Sequence, residues 1–319
     1  MHRTRRLRKN CAIRDMVRET KLHVEDFIYP LFIAEGEDIK REISSMKGVY
    51  HFSVDRVIDE VAELLDLGIK SIILFGIPDE KDEVGSQGYD DDGIVQRAIR
   101  AIKKHHPEMY IVTDICMCEY TNHGHCGILD KDGCVDNDKT LEYLSKTAIS
   151  HAKAGVDMVS PSDMMDKRIA HMRKTLNENG FETLPIMSYS AKYCSSFYGP
   201  FREAAQSAPN CGDRKGYQMD YANSDEAMRE VRYDIEEGAD IIMIKPALSY
   251  LDIIRRTKDG FNIPIAAYNV SGEYAMLKSA IEQGMIAEEA MLEAMTSIKR
   301  AGADIIITYF AKEIAKLLK

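Results

Sequence analysis

The stretch that decides the fold is residues 238–250, which read Gly-Ala-Asp-Ile-Ile-Met-Ile-Lys-Pro-Ala-Leu-Ser-Tyr. Gly238 suits a left-handed cap at the end of a helix, and the apolar residues that follow it form a short strand. Their hydrophobicity is continuous rather than alternating, which is typical of parallel strands buried on both faces. Lys245 ends this strand, directly before Pro246.

Eight apolar runs of this kind lie along the chain, separated by amphipathic stretches of helical period. They cover residues 27–33, 71–75, 110–116, 158–161, 184–190, 241–245, 264–270 and 304–310. Eight strand–helix units in a chain of 319 residues predict an α/β fold of the (β/α)8 TIM-barrel type. A doubly wound open sheet is the alternative, but no glycine-rich dinucleotide loop follows the first run. We expect an N-terminal arm at residues 1–20 and a catalytic barrel at 21–319.

The composition argues against several classes of function. Hydrophobic residues make up 45% of the chain and charged residues 29%, which allows a large core and argues against disorder. The net charge of −10 argues against nucleic-acid binding. No run approaches a membrane span, and seven cysteines without a secretory signal predict a cytoplasmic protein. The basic residues of the arm are expected to contact another subunit: Arg3, Arg5, Arg6, Arg8 and Lys9.

Two lysines lie where an apolar strand is predicted to end. Lys245 closes the run 241–245, and Lys192 follows the run 184–190 and opens a segment rich in Tyr, Phe and Gly. Partial burial disfavours the ammonium form of such a lysine, lowers its pKa and leaves a free amine that attacks a ketone or aldehyde. One such lysine alone is more often an ordinary surface residue, whereas two together indicate a Schiff-base site.

Three cysteines within eleven residues indicate a metal site. Cys116, Cys118 and Cys126 are soft donors suited to Zn2+, and three thiolates leave one position open for water or substrate. Buried free cysteines at a strand end are the alternative. His125 is a candidate for a fourth ligand, for a residue that supports the ligands without binding the metal, or for a solvated loop histidine. The other four cysteines are expected to be structural: Cys11, Cys134, Cys194 and Cys211.

Two long connections, 117–138 and 191–223, follow the strands that carry these groups, as active-site loops of barrels do. Arg202 and Arg214 in the second loop are candidates for bidentate contacts with a carboxylate, or are solvated loop residues. Ser271 precedes a helix and is either an anion-binding hydroxyl or an N-cap. Tyr309 faces either the pocket or the core.

Several motifs resemble the porphobilinogen synthase family, also called 5-aminolevulinate dehydratase. The likeness includes residues 238–250 and extends nearly from end to end, through residues 5–8, 28–32, 161–166, 201–202 and 269–273. In that family two molecules of 5-aminolevulinate condense, with loss of two waters, to porphobilinogen, the pyrrole precursor of tetrapyrroles such as heme. The resemblance therefore implies a lyase with a small-molecule substrate.

The resemblance also implies roles for single residues. Lys245 and Lys192 would each form a Schiff base with one of the two substrates. The positions that hold the first substrate's carboxylate are matched by Ser271 and Tyr309. The positions that hold the second substrate's carboxylate are matched by Arg202, Arg214 and Gln218. The family's lid is matched by Tyr198 and Phe201, and the polar surroundings of the reacting amines by Asp114 and Ser162.

The metals and the assembly of the family follow from the same resemblance. Cys116, Cys118 and Cys126 match the ligands of its zinc-dependent branch, where Zn2+ acts as Lewis acid and water activator. Gly216 stands where other members carry a cysteine for a further zinc, which argues against a second zinc here. Glu230 matches an allosteric Mg2+ position, or is an exposed helix residue. The family forms homo-octamers, with hexamers as an alternative state.

Two other functions are compatible with parts of this pattern. A class I aldolase or related lyase barrel also uses an imine-forming lysine, but needs neither a second one nor a thiolate metal site. A non-catalytic relative that senses zinc through its cysteines would have no use for the intact lysines and substrate-binding positions.

Overall fold

The computed structural model describes residues 2–318. Its sheet has ten strands: β1 Phe27–Ala34, β2 Lys40–Ile43, β3 Met46–Phe52, β4 Ser71–Ile77, β5 Tyr110–Ile115, β6 Met158–Pro161, β7 Met187–Lys192, β8 Ile241–Lys245, β9 Ile265–Asn269 and β10 Ile305–Thr308. The helices of the described part are α1 Cys11–Met16, α2 Val54–Asp66, α3 Ser86–Tyr89, α4 Ile94–His105, α5 Asn137–Ala154, α6 Arg168–Glu178, α7 Gly199–Ala204, α8 Asp225–Glu236, α9 Leu251–Gly260, α10 Ser271–Glu282, α11 Ala290–Ala301 and α12 Ala311–Leu318.

Eight of the strands run parallel and form the barrel, in the order β6-β5-β4-β1-β10-β9-β8-β7. The ring closes between β6 and the segment before β7 through a parallel bridge from Val159 to Ile186. Each of the eight apolar runs in the sequence overlaps one of these strands. The predicted TIM barrel is therefore confirmed, and its helices lie between successive strands.

The sequence analysis did not predict the antiparallel hairpin of β2 and β3, which lies beside β1. Three of the four residues of β2 are exposed, so its sequence lacks the continuous apolar pattern of the barrel strands. The hairpin packs against the long loop after β7. Its His51 Nε2 lies 2.7 Å from the carbonyl oxygen of Ala204 in α7, and Ser44 Oγ donates a hydrogen bond to the carboxylate of Glu203.

The strand β7 contains one residue more than the part of β8 with which it pairs. Ser188 pairs with Ile242 and Ala191 pairs with Ile244, so three steps along β7 match two steps along β8. This is the residue count of a β-bulge. The sequence analysis expected a strand at 184–190, but β7 extends to Lys192, which pairs with Lys245.

Outside the barrel, the first residues form a 3-10 helix over Thr4–Arg8 and the helix α1, and no side chain in either is buried. Three of the four scattered cysteines are exposed rather than structural: Cys11, Cys134 and Cys211. The expectation is wrong for these three because they lie in the arm or in loops and have no core to pack against. No helix among the described residues combines the length and the hydrophobicity that crossing a bilayer requires.

The core predicts a test of stability. Leu74 in β4 is fully buried, and Leu74→Ala should lower the free energy of unfolding by about 2–5 kcal/mol, because truncation removes buried methyl groups and leaves a cavity. Urea denaturation measures the change. The matched control is Leu317→Ala in α12, a leucine that is 46% exposed, for which we expect a change within about 0.5 kcal/mol. Equal losses in the two variants would contradict this description of the core.

Candidate active site

Lys192 and Lys245 project from adjacent strands into the same cavity in the barrel. Both side chains are buried, each residue being 5% exposed, and the ring of Tyr189 lies 5.5 Å from the Nζ of Lys192 and 5.0 Å from that of Lys245. Lys192 Nζ also donates a hydrogen bond to the carbonyl oxygen of Ser162. Three further rings surround the Lys245 amine, at 4.3 Å for Tyr268, 5.0 Å for Phe201 and 5.4 Å for Tyr198. The structure thus brings the two predicted amines together.

The cavity between these amines is nearly closed. Its volume is about 10 Å3, which is room for one water molecule. Most of the predicted substrate-binding residues line it together with the lysines: Asp114, Ser162, Tyr198, Phe201, Arg202 and Arg214. Phe201 and Arg202 belong to α7, the helix that the hairpin of β2 and β3 contacts. This segment therefore covers the amines.

The two lysines differ in their charge states. Burial, and then the positive charge of Lys192, lower the pKa of Lys245 to about 7. Burial also acts to lower the pKa of Lys192, but the negative charge of Cys126 outweighs it, so that this pKa lies above its ordinary value. The expectation of a lowered pKa is met by Lys245 and is wrong for Lys192, because the sequence analysis did not consider the thiol cluster as a neighbour of this amine.

Two buried carboxyl groups lie beside the lysines. Asp114 accepts a hydrogen bond of 3.0 Å from Ser162 Oγ, and its pKa is raised to about 7 by burial and by the charge of Glu119. Glu119 is 2% exposed and lines the same cavity. The sequence analysis missed it, although its position next to Cys118 was a signal.

The three predicted metal ligands converge. The sulfur atoms of Cys116, Cys118 and Cys126 lie within 4.8 Å of one another, and those of Cys116 and Cys118 are 3.4 Å apart. A tetrahedral site with Zn–S bonds of 2.3 Å has edges of roughly 3.8 Å between its sulfurs. Hydrogen bonds with Cys116 and Cys118 lower the pKa of Cys126 well below its ordinary value, so the cluster contains one thiol that ionises readily. These residues fit a Zn2+ ion in number, donor type and spacing.

His125 makes contacts with the loop rather than with the sulfurs. Its Nδ1 lies 3.2 Å from the hydroxyl of Tyr217, and its Nε2 lies 2.9 Å from the carbonyl oxygen of Cys211. It is not among the groups of three close ligand atoms found in residues 2–318. Of the three roles considered for His125, this arrangement favours a position behind the ligands. Tyr217 also packs against the thiol cluster.

Several buried polar atoms of the predicted carboxylate-binding residues lack partners. The Nε atoms of Arg202 and Arg214 and both polar atoms of the Gln218 amide are buried, with no hydrogen-bond partner among the described residues. Arg214 is held in place by Nη2, which donates to the carbonyl oxygens of Gly124 at 3.0 Å and Ser207 at 2.5 Å. Because buried polar groups are nearly always hydrogen-bonded, unpaired donors of this kind indicate an anionic ligand.

The other predicted carboxylate site involves Ser271 and Tyr309. Ser271 Oγ accepts a hydrogen bond of 2.9 Å from the backbone N–H of Phe201, which couples the start of α10 to the segment that covers the cavity. The hydroxyl of Tyr309 lies 3.0 Å from that of Tyr268, whose ring faces Lys245. Tyr189 and Tyr268 were missed by the sequence analysis, although both lie in strands that were predicted correctly.

Glu230 lies in α8, away from the lysines. It is half-buried and lines a groove of about 930 Å3 together with Asp166 and Glu226. Burial raises its pKa. No group of three close ligand atoms in the described part of the chain includes it. Magnesium binding at Glu230 therefore stays a prediction.

Comparisons with known proteins identify the family of this chain. A family model described as "ALAD: Delta-aminolevulinic acid dehydratase" matches residues 1–317. The delta-aminolevulinic acid dehydratase of Bacillus subtilis is 57% identical over 318 residues, which cover 99% of this chain and 98% of the relative. The enzyme of the same name from Methanothermus sociabilis is 55% identical over 314 residues, 98% of each chain.

A solved structure is similar over nearly the whole fold. It is the delta-aminolevulinic acid dehydratase (porphobilinogen synthase) of Toxoplasma gondii ME49 in complex with the reaction product porphobilinogen. The TM-score is 0.97 at 44% sequence identity, and the match covers 99% of this chain and 91% of that one. Because the family model and these relatives span almost the entire sequence, the chain belongs to the delta-aminolevulinic acid dehydratase family.

Proposed function

We propose that this chain condenses two molecules of 5-aminolevulinate to porphobilinogen, with loss of two waters, through imines on Lys245 and Lys192. The observation that carries the proposal is the pairing of two buried amines within one nearly closed cavity. An aldolase needs one such amine, and a zinc sensor needs none. Holding both substrates in one cavity replaces a bimolecular encounter, an effect worth roughly 7–11 kcal/mol of the barrier.

In the proposed mechanism Lys245 reacts as the free amine. Its nitrogen attacks the ketone carbon of the first substrate, and loss of water leaves the imine. The rings of Tyr189, Tyr268, Phe201 and Tyr198 surround the amine and exclude water, which protects the imine from hydrolysis. The same rings present their faces to the nitrogen, so they also stabilise positive charge that develops there.

Lys192 serves the second substrate. The carbonyl of Ser162 holds its Nζ, and the pair of Ser162 and Asp114 lies directly beside it as a source and acceptor of protons. Because the pKa of Lys192 is raised, the second imine needs prior loss of a proton, and a neighbouring carboxylate suits this step. Arg202, Arg214 and Gln218 would bind the second carboxylate with the donors that lack partners.

The other carboxylate would be bound by Ser271 and Tyr309. Ser271 Oγ donates to the carbonyl oxygen of Phe197 at 3.4 Å, so a carboxylate that accepts from Ser271 competes with a contact of the covering segment. Binding of substrate and closure of the cavity are thereby coupled. Two molecules of the same substrate would be told apart by the two different sets of donors.

We propose Zn2+ as the metal of Cys116, Cys118 and Cys126, because three thiols are soft donors that Mg2+ does not favour. When bound, Zn2+ would supply Lewis-acid polarisation and activate water beside the second substrate.

We further propose a cytoplasmic homo-octamer that exchanges with a hexamer, in which the exposed arm of residues 1–20 contacts a neighbouring barrel. Glu230, with Asp166 and Glu226 nearby, is the proposed site of an allosteric Mg2+.

The role of Lys245 is tested by Lys245→Met. We expect turnover to be lost while the fold is kept, because the thioether fills the same space and cannot form an imine. Borohydride trapping with 5-aminolevulinate, followed by peptide mapping, should find an adduct on Lys245 of the wild type. Lys174→Met in α6, where the lysine side chain is 74% exposed, is the control and should retain full activity. Normal turnover by Lys245→Met would contradict the mechanism.

The shifted pKa predicts a pH dependence. Below pH 7 the Lys245 amine is protonated and cannot attack, so the rate of adduct trapping should rise with pH and reach half its maximum near pH 7. Lys192→Gln removes a neighbouring positive charge and should move this midpoint upward, as measured by quenched trapping with mass spectrometry. A wild-type midpoint near 10.5, the ordinary lysine value, would rule out the proposed desolvation of this amine.

The metal is tested by removal and by substitution. Treatment with a chelator should abolish activity, and added Zn2+ should restore it. Cys126→Ser should lose bound zinc, measured by elemental mass spectrometry, because it removes one of three thiolate ligands. Cys134→Ser, which changes an exposed thiol outside the cluster, should keep the zinc content of the wild type. Equal zinc in both variants would show that the ion binds elsewhere.

A further inference from the structure

We propose that Arg168 is a positioning residue for Lys192: it holds the bulge of β7 that turns the Lys192 side chain into the cavity. Only the expected effect on catalysis rests on the proposed function; the positioning of Lys192 does not. Arg168 is the first residue of α6 and is 3% exposed. Neither the sequence motifs nor the mechanism gives it a role.

The bulge decides which way Lys192 points. Side chains alternate between the two faces of a strand, so residues three apart normally point in opposite directions. Tyr189 and Lys192 are three apart, and yet the Tyr189 ring lies 5.5 Å from Lys192 Nζ inside the barrel. The extra residue between Ser188 and Ala191 restores the match with β8 and places Lys192 beside Lys245.

Arg168 binds the strand at this bulge from the helix side. Its Nη2 donates to the carbonyl oxygen of Tyr189 at 3.0 Å and to Ser188 Oγ at 3.0 Å. The same Nη2 lies 3.2 Å from Oδ2 of Asp234 in α8, and Ser188 Oγ donates to that oxygen at 2.6 Å. One guanidinium thus connects the bulged strand to two helices, with the planar fork geometry that only arginine has.

The same side chain holds the loop that contacts Lys192 from the other side. Its Nη1 donates to the carbonyl oxygen of Met165 at 3.3 Å, and its Nε lies 3.7 Å from Oδ2 of Asp163. Asp163 is fully buried and precedes Met165, whose N–H it accepts at 2.7 Å. The neighbouring Ser162 supplies the carbonyl that holds Lys192 Nζ. Arg168 therefore fixes both the strand that carries the amine and the loop that orients it.

Lys245 provides an internal reference, because no hydrogen bond or ion pair found among the described residues joins Arg168 to β8. A substitution at Arg168 should displace the Lys192 side chain and leave the position of Lys245 unchanged, while the Lys245 amine responds only through the charge of Lys192. A merely structural residue would affect both amines alike, through loss of folded protein. The ratio of reactivities of the two lysines therefore distinguishes positioning from general stability.

The test is reductive methylation with formaldehyde and cyanoborohydride, with the labelling of Lys192 and Lys245 quantified by peptide mapping. It needs neither turnover nor bound substrate. Arg168→Lys keeps the positive charge but loses the planar guanidinium. In this variant we expect the ratio of Lys192 to Lys245 labelling to change at least about threefold. We also expect kcat to fall by about 100-fold, the effect of a misplacement of about 1 Å. The matched control is Arg173→Lys on the same helix, whose Nη2 lies 2.8 Å from Asp240. This variant should keep the wild-type ratio.

An unchanged labelling ratio in folded Arg168→Lys would overturn the proposal. If that variant fails to fold, Ser188→Ala replaces it, because it removes the hydroxyl that Arg168 and Asp234 bind. This variant should shift the labelling ratio in the same direction. An unchanged ratio in Ser188→Ala would equally overturn the proposal. Borohydride trapping with 5-aminolevulinate separates this inference from the proposed function. If the wild type traps no substrate while Arg168→Lys shows the expected labelling shift, the proposed reaction is disproved and the positioning role of Arg168 is retained.

Discussion

The parallel pairing of β7 with β8 is the constraint on which the site depends, because it sets two amines side by side in a buried cavity. Burying two like charges is costly, and the structure reduces that cost in two ways. Lys245 is about half neutral near pH 7, since its pKa falls to that value. Lys192 keeps its proton because the thiol cluster lies close by. One amine is thus ready to attack while the other stays charged, and the difference arises from neighbours rather than from the lysines themselves.

The cavity owes its closure to elements outside the barrel. The hairpin of β2 and β3 contacts α7 through His51 and Ser44, and α10 contacts the same helix through Ser271. Phe201 of α7 in turn packs with Phe75 from the barrel, at 5.1 Å between ring centres. These contacts are few and lie at the rim, whereas the barrel below is held by its whole core. The cover is therefore held by local contacts, and the strands that carry the lysines are held by the core.

The barrel and the chemically active residues could be predicted from the sequence because both have strong local signals. Continuous apolar runs identify buried strands, and Cys116, Cys118 and Cys126 lie close in the chain as well as in space. The hairpin could not be predicted, since β2 is mostly exposed and has no distinctive pattern. The pKa of Lys192 was beyond reach as well, because it depends on a cluster brought close only by folding. Glu119, Tyr189, Tyr268 and Arg168 were missed because a single residue of an ordinary type has no signal until its neighbours are known.

The bulge in β7 has a consequence for how such an enzyme could arise. Deleting one residue between Ser188 and Ala191 would leave the length and hydrophobicity of the strand almost unchanged, yet it would turn Lys192 toward the surrounding helices. In this strand, a cavity with one inward-facing lysine and a cavity with two therefore differ by a single residue. Such a change needs no new strand, loop or domain, and Arg168 binds the backbone at the point where the extra residue lies.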